Sequence, residues 1–434
     1  MMNEKNANNL TDTPNRSQPP TEALLDWYAV HRRRLPWRDD PTPYHIWLSE
    51  IMLQQTRVEA VRGYYDRFLT ALPDISTLAK AGEDTCLKLW EGLGYYSRVR
   101  NLRKAAIQIM TEHGGCMPRT SSDLQKLAGI GPYTSAAIAS ICFGERIPAI
   151  DGNLLRVFAR MTGYDQDIKS DAAKRTAREW YLEIFPAGSG AADSASGETC
   201  LRSGTAYSAP GTAKTAHAAN TVPGAADAAL TASPRPAGSS TSNPCGDMNQ
   251  ALMDLGATIC LPNGQPLCGD CPWADYCRAR ADGRQQELPV TTTKKARPVS
   301  EKTIFLIYSD QKIALRKRPA RGLLAGLYEF PNTDGKLSRA DATAYLQTLG
   351  FSPVRMRRLP ATKHIFTHRE WRMTGWEVLA DECAEFAANR KGGTSNSTEA
   401  PGAVFLATAK ELDEVYSIPS AFARYQKEIR RDYL

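Results

Sequence analysis

The 434-residue sequence predicts a multidomain chain: an all-α region, a helical segment built around a cysteine cluster, and a C-terminal α+β domain. Three observations lead there. Between positions 21 and 186, apolar residues recur at three- and four-residue spacing, as in Leu87, Trp90, Leu93 and in Leu102, Ala106, Ile109, without strand-like alternation. Four cysteines crowd into positions 260–277. Beyond position 303 the period shortens to runs at 303–308, 312–316 and 371–379, around one helical stretch at 339–349.

Composition narrows the function. Hydrophobic residues make up 42% of the chain, enough for packed cores and against disorder throughout. The net charge of +7 permits a nucleic-acid partner without requiring one. No apolar run is long enough for a membrane span, and residues 1–20 read as a flexible tail without the apolar core of a secretory signal, so a cytoplasmic protein is expected. Of the 58 residues at 187–244, 37 are Ala, Ser, Gly or Pro. A disordered insertion is therefore expected over 187–245, because such a segment buries too little to offset the entropy of ordering. Cys200 and Cys245 fall in it and are given no ligand role. Residues 246–290 read as the helical cysteine segment, 291–302 as a linker and 303–434 as the last domain.

Five strings could carry chemistry. At 127–138 (LAGIGPYTSAAI), Gly129 and Gly131 allow a tight hairpin with outward N–H groups, and Pro132 opens a small-residue helix. This helix-hairpin-helix pattern suits a DNA backbone; a plain Gly-rich turn is the alternative. At 149–158 (AIDGNLLRVF), Asp151 fits a helix N-cap, and only its place after the hairpin suggests more. At 47–57 (WLSEIMLQQTR), Glu50 lies between Ile46, Trp47, Ile51 and Leu53. A carboxyl buried among such groups has a raised pKa, as a general acid at neutral pH requires; a surface Glu on an amphipathic helix is the bland alternative. Cys260-x7-Cys268-x2-Cys271-x5-Cys277 could hold zinc or an iron–sulfur cluster, and spacing alone does not choose. Tyr95, Tyr96, Arg98, Arg100, Arg103 and Lys104 interleave aromatic and basic groups, which suits base stacking with phosphate contact or a solvated helix face.

In this order the strings resemble the helix-hairpin-helix DNA glycosylases that carry an iron–sulfur cluster. Residues 35–38 (LPWR), 49–56 (SEIMLQQT), 92–97 (GLGYYS) and 249–256 (NQALMDLG) resemble specifically the adenine DNA glycosylases of the MutY type. The likeness covers about 22–186, 246–290 and 303–430. It implies removal of adenine mispaired with 8-oxoguanine or guanine from double-stranded DNA, by a flipped-base mechanism and a monomeric, nucleoid-associated enzyme. It implies that Glu50 protonates adenine N7, that Asp151 stabilises an oxocarbenium-like sugar, and that Tyr133 and Asn153 assist. Arg38 and Gln250 match adenine-pocket positions, and Gln55 and Tyr95 match residues that wedge into the duplex. Cys260, Cys268, Cys271 and Cys277 match the ligands of a [4Fe–4S] cluster, although the first gap here is seven residues where six is usual.

Endonuclease III-like relatives carry a Lys where this chain has Tyr133. A phenol cannot form a Schiff base, so a monofunctional enzyme is expected. Residues 321–331 (RGLLAGLYEFP) and 363–368 (KHIFTH) resemble the Nudix-like domain of the same family. No Glu-rich Mg²⁺ box follows Pro331, so this domain is expected to bind rather than hydrolyse, with Phe366, Thr367 and His368 reading 8-oxoguanine. A glycosylase for another mispair such as G·T, and a non-catalytic DNA-binding module, are the competing readings.

Overall fold

The computed structural model describes residues 19–186, 243–292, 296–382 and 402–434. The expected tail up to residue 18 and the insertion from 187 to 242 lie outside the described residues. Among those described, the longer helices before the sheet are α1 (Thr21–His31), α2 (Pro43–Leu53), α3 (Val58–Ala71), α4 (Ser97–Glu112), α5 (Pro132–Phe143), α6 (Gly152–Thr162), α7 (Asp171–Ile184) and α8 (Pro244–Thr258). Helical periodicity thus predicts residues 21–186 correctly. The chain divides into two compact units, and the division cuts across the sequence-order domains. The boundary falls inside α2 after Glu50, and residues 51–111 cluster with the C-terminal domain.

The first unit contains α1, α5, α6, α7 and α8. The apolar face of α6 (Leu154, Leu155, Val157, Phe158) joins Trp180 and Tyr181 of α7 and Met248 and Leu252 of α8 in one core. Trp273, from the cysteine segment, is fully buried there and meets Trp180 edge-on at 6.2 Å. The insertion boundary needs correcting by three residues. Asn243 caps α8 through a bond from Gly246 N–H, Pro244 takes the first helical position, and Cys245 is buried in the core. An Asn-Pro pair is a strong helix start even at the end of a low-complexity run.

The second unit holds α3, α4 and a seven-stranded sheet. Its strands are β1 (Val299–Ser309), β2 (Lys312–Lys317), β3 (Tyr328–Glu329), β4 (Asn332–Asp334), β5 (Phe351–Ile365), β6 (Glu370–Glu382) and β7 (Val404–Ala407), in the order β3-β2-β1-β6-β5 with β4 on β1 and β7 on β2. Helix α9 (Arg339–Thr348) packs on one face. Alternation along β1 builds both faces: Ile304, Leu306 and Tyr308 meet Phe422 and Tyr425, while Phe305 and Ile307 meet Ala342 and Leu346 of α9. The expected linker ends four residues early, because Val299 to Lys302 already pair in parallel with β6.

Candidate active site

Two carboxyls, Glu50 and Asp151, influence each other electrostatically at the helical site. Helix α2 is apolar on nearly every side, and Glu50 within it is only 7% exposed. Burial pushes its carboxyl up to about 7, and the nearby Asp151 charge pushes the same way. The Tyr133 hydroxyl, and more weakly the Arg38 charge, oppose this. Tyr133 is the second residue of α5, and its Oη donates to Glu50 Oε2 at 2.7 Å.

Asp151 is the N-cap of α6, as its string predicts. Leu154 N–H donates to its Oδ1 at 2.7 Å, and Asn153 Nδ2 donates to its Oδ2 at 2.7 Å. These donors favour the anion, yet burial outweighs them and raises the carboxyl above its ordinary value. Arg156 fixes Asn153 in turn, donating to its Oδ1 at 2.9 Å and to the Cys260 carbonyl at 2.7 Å. Gly256 of α8 leaves room for this: a Cβ there would stand 2.6 Å from Asn153 Cβ.

Arg38 is held by a residue that sequence reasoning missed. Asp254 of α8, fully buried, accepts from Arg38 Nη1 at 2.7 Å and Nη2 at 3.0 Å, and from Arg33 Nε at 2.8 Å. The two guanidiniums hold its carboxyl below the ordinary range despite burial. Asp254 belongs to the same 249–256 string as Gln250, which is half-buried on α8. Beside it Asn249 ties α8 to the rest of the site: it accepts from Ala149 N–H at 2.8 Å and donates to Ser140 Oγ at 2.9 Å. The available signal was Asn249 and Asp254 set among the apolar residues Met248, Ala251, Leu252 and Leu255.

The hairpin forms as read. Gly129 has φ +76°, which excludes most side chains, whereas Gly131 is extended and a Cβ on it would meet nothing within 4 Å. The fold therefore does not need a glycine at 131.

In the second unit, Phe366 to Arg369 form the turn between β5 and β6, closed by Phe366 N–H donating to the Arg369 carbonyl. Phe366 is braced edge-on by His364 at 4.6 Å and Trp371 at 4.9 Å, while Thr367 and His368 are exposed. A cleft of about 1020 Å³ is lined by Gln55, Tyr95, Arg318, Phe366, Thr367 and His368 among others. Across it Tyr95 Oη and Thr367 Oγ1 stand 2.9 Å apart. The basic and aromatic run at 95–104 does not face outward as one surface. Tyr95 is 45% exposed, but Tyr96 and Arg98 are buried and Arg103 bonds to the Ala81 carbonyl. Backbone carbonyls draw the two arginines inward, and the Tyr96 hydroxyl accepts from Gly92 N–H.

Cys260, Cys268, Cys271 and Cys277 line one cavity, with Val157, Leu255 and Ile259 in its wall. Arg160 Nη1 donates to Cys260 Sγ at 3.2 Å. Among the described residues no three Cys, His, Asp or Glu are grouped closely enough to hold one metal ion. Four thiols lining one shared cavity suit a thiolate-bound group, and the extra residue of the first gap falls in the exposed turn around Asn263 and Gly264.

The chain is similar to known proteins over most of its length. Residues 48–182 match the HhH-GPD superfamily base excision DNA repair protein model, and residues 303–427 match the NUDIX domain model. An adenine DNA glycosylase of Mus musculus is 32% identical over 441 residues, covering 88% of this chain and 73% of the mouse protein. The chain belongs to the adenine DNA glycosylase family. The Homo sapiens member is 31% identical over 409 residues, and this chain spans 64% of its length. The member from Buchnera aphidicola (subsp. Baizongia pistaciae) is 27% identical over 372 residues, covering 85% of this chain and 89% of that one. The enzyme is therefore a base-excision-repair glycosylase, a hydrolase of N-glycosyl bonds acting on adenine, with a helix-hairpin-helix region and a Nudix-like domain. Among the described residues no helix is long and apolar enough to cross a membrane.

Proposed function

We propose that this adenine DNA glycosylase excises adenine mispaired with 8-oxoguanine or guanine in duplex DNA, as a monofunctional monomer acting in the cytoplasm on the nucleoid. The observation that carries the reading is the pair of carboxyls with unlike surroundings. Glu50 is buried among apolar groups with its proton affinity raised to about 7, while both oxygens of Asp151 accept from N–H donors. Two nearby carboxyls do not both ionise readily, and the proton resides where donors are fewer. Glu50 is thus the acid and Asp151 the anion.

The reaction follows from that division. The flipped adenine enters beside Glu50, which delivers its proton to N7 and makes the base a neutral leaving group. Tyr133 orients the Glu50 carboxyl through its 2.7 Å bond. As the glycosidic bond breaks, positive charge grows on the sugar, and Asp151, fixed by Asn153 and by Leu154 N–H, stabilises it. Water completes the hydrolysis. Arg38, locked by Asp254, and Gln250 line the adenine pocket. Gly129 and Gly131 present backbone N–H groups to phosphate, and Gln55 and Tyr95 wedge into the duplex. Phe366, Thr367 and His368 read the 8-oxoguanine left opposite, by stacking and by donors suited to its altered edge; the Nudix-like domain binds and does not hydrolyse. Cys260, Cys268, Cys271 and Cys277 would hold a [4Fe–4S] cluster, which when bound there cross-links the 260–277 segment.

The test is a single-turnover panel on duplexes carrying A opposite 8-oxoguanine, A opposite G, and T opposite G, with the released base identified by chromatography. Adenine from the first two and no thymine from the third is expected. Thymine release, or tight binding with no base released, would overturn the reading.

A further inference from the structure

Arg98 is a buried arginine with an unusual set of partners. Its guanidinium donates to no carboxylate in the described contacts. Nη1 donates to the carbonyls of Ile51 at 2.9 Å, Met52 at 2.8 Å and Gln54 at 2.7 Å. Nη2 donates to the Leu93 and Gly94 carbonyls at 3.2 and 3.0 Å and to Thr56 Oγ1 at 3.3 Å. Its plane also lies over Trp90 and Tyr95, 5.3 and 5.4 Å from the ring centres. Burial lowers its pKa to about 10, the mark of a cation held without a countercharge.

These acceptors fall in two chain segments. One is the C-terminal end of α2, whose last carbonyls lack helical partners, running on through Gln55. The other is the turn at 92–96, which presents Tyr95. Gln55 and Tyr95 are the only non-glycine residues with positive φ among the described residues before the sheet, at +57° and +47°. Both are exposed. One side chain therefore cross-links the two turns that display them, and only a planar guanidinium carries enough donors in a fixed fork to do so.

We propose that Arg98 is the positioning residue of the wedge: it fixes the left-handed turns at Gln55 and Tyr95 so that both side chains stand ready to open the duplex. This rests on the wedge role given to those residues under the proposed function. A residue that merely supports the fold lowers every activity together. A residue that sets the wedge matters when the adenine must be unstacked and matters little when it is unstacked already.

The experiment uses the full-length enzyme, as parent, Arg98→Lys and Arg98→Met, under single-turnover conditions with saturating protein. One duplex carries adenine opposite 8-oxoguanine in an intact stack. A second is identical but has an abasic analogue on the 5′ side of the adenine, so that its stacking is already lost. A third carries 2-aminopurine beside the adenine, and its fluorescence rise on binding reports unstacking. Both variants are expected to lose about tenfold or more on the intact duplex, less than about threefold on the pre-unstacked one, and the fluorescence rise. Thr56→Val removes one acceptor, leaves the arginine in place, and should give the same pattern at smaller amplitude; it decides the matter with Arg98→Lys if Arg98→Met does not fold. Equal losses on both cleavable duplexes, or a full fluorescence rise in the variants, would overturn the proposal. A parent that releases no adenine but still unstacks 2-aminopurine would instead sink the functional reading and leave Arg98's role standing.

Discussion

Tyr133 Oη donates to Glu50 Oε2 at 2.7 Å, joining the hairpin helix to the only carboxyl of α2. The contact has a mechanistic meaning beyond orientation. A hydroxyl at this position supplies a hydrogen bond and no nucleophilic amine. We therefore expect adenine release to leave an intact abasic strand. The check is gel analysis with and without alkali, together with borohydride trapping. Strand nicking before alkali, or a protein–DNA adduct on a lysine, would contradict it.

Glu50 should cost stability where it is charged. Its carboxyl is raised from an ordinary 4.5 to about 7, so the folded state binds the proton more tightly than the unfolded state. Below about 4.5 both states are protonated and no cost exists. Above about 7 both are ionised and the folded state bears the whole of it, about 3 kcal/mol. Glu50→Gln, neutral throughout, should unfold at higher denaturant than the parent at pH 8 and match it near pH 4.5. A gap independent of pH would show that burial does not raise this carboxyl.

Gly256 should tolerate no side chain. A Cβ would approach Asn153 Cβ to 2.6 Å and its Cα to 3.1 Å, between two helices that cannot both yield cheaply. Gly256→Ala is expected to cost about 1–3 kcal/mol in thermal or chemical unfolding. Adenine release should fall further than that loss explains, because Asn153 is displaced from Asp151. Parent-like release by the variant would contradict the role given to Asn153.

Much of the candidate site is legible because its parts lie in short contiguous strings. Glu50 announces itself as a lone acid among Ile46, Trp47 and Leu53, and Asp151 as a cap after a Gly-rich hairpin. What escapes is whatever depends on partners distant in sequence. Asp254 looks like one acid on one helix turn; its meaning comes from Arg33 and Arg38, more than 200 residues earlier. Arg98 reads as a phosphate contact until the carbonyls left at the end of α2 turn it inward. Strand β5 escapes because Pro353, Pro360 and three arginines at 355, 357 and 358 break its alternation, with register shifts at Pro353/Arg355 and Leu359/Thr362. The 51–111 segment reads as continuous helical sequence and shows no sign that it clusters with the C-terminal domain.

The cysteine cavity makes an analytical prediction. Protein purified without oxidation should contain about four iron and four sulfide per chain and absorb broadly in the visible. Cys268→Ser should lose most of that colour. Stoichiometric zinc with a colourless protein would contradict the [4Fe–4S] assignment.

The most direct test of the central claim is the pH dependence of single-turnover adenine release from a duplex with A opposite 8-oxoguanine, for the parent and Glu50→Gln. Glu50 acts only when protonated. The parent rate should hold up to about pH 7 and then fall about tenfold per unit as that proton is lost. Glu50→Gln should release adenine at least about 100-fold more slowly at every pH while still binding the duplex. A parent rate that rises through pH 8, or a glutamine variant within a few fold of the parent, would contradict the assignment of Glu50 as the acid.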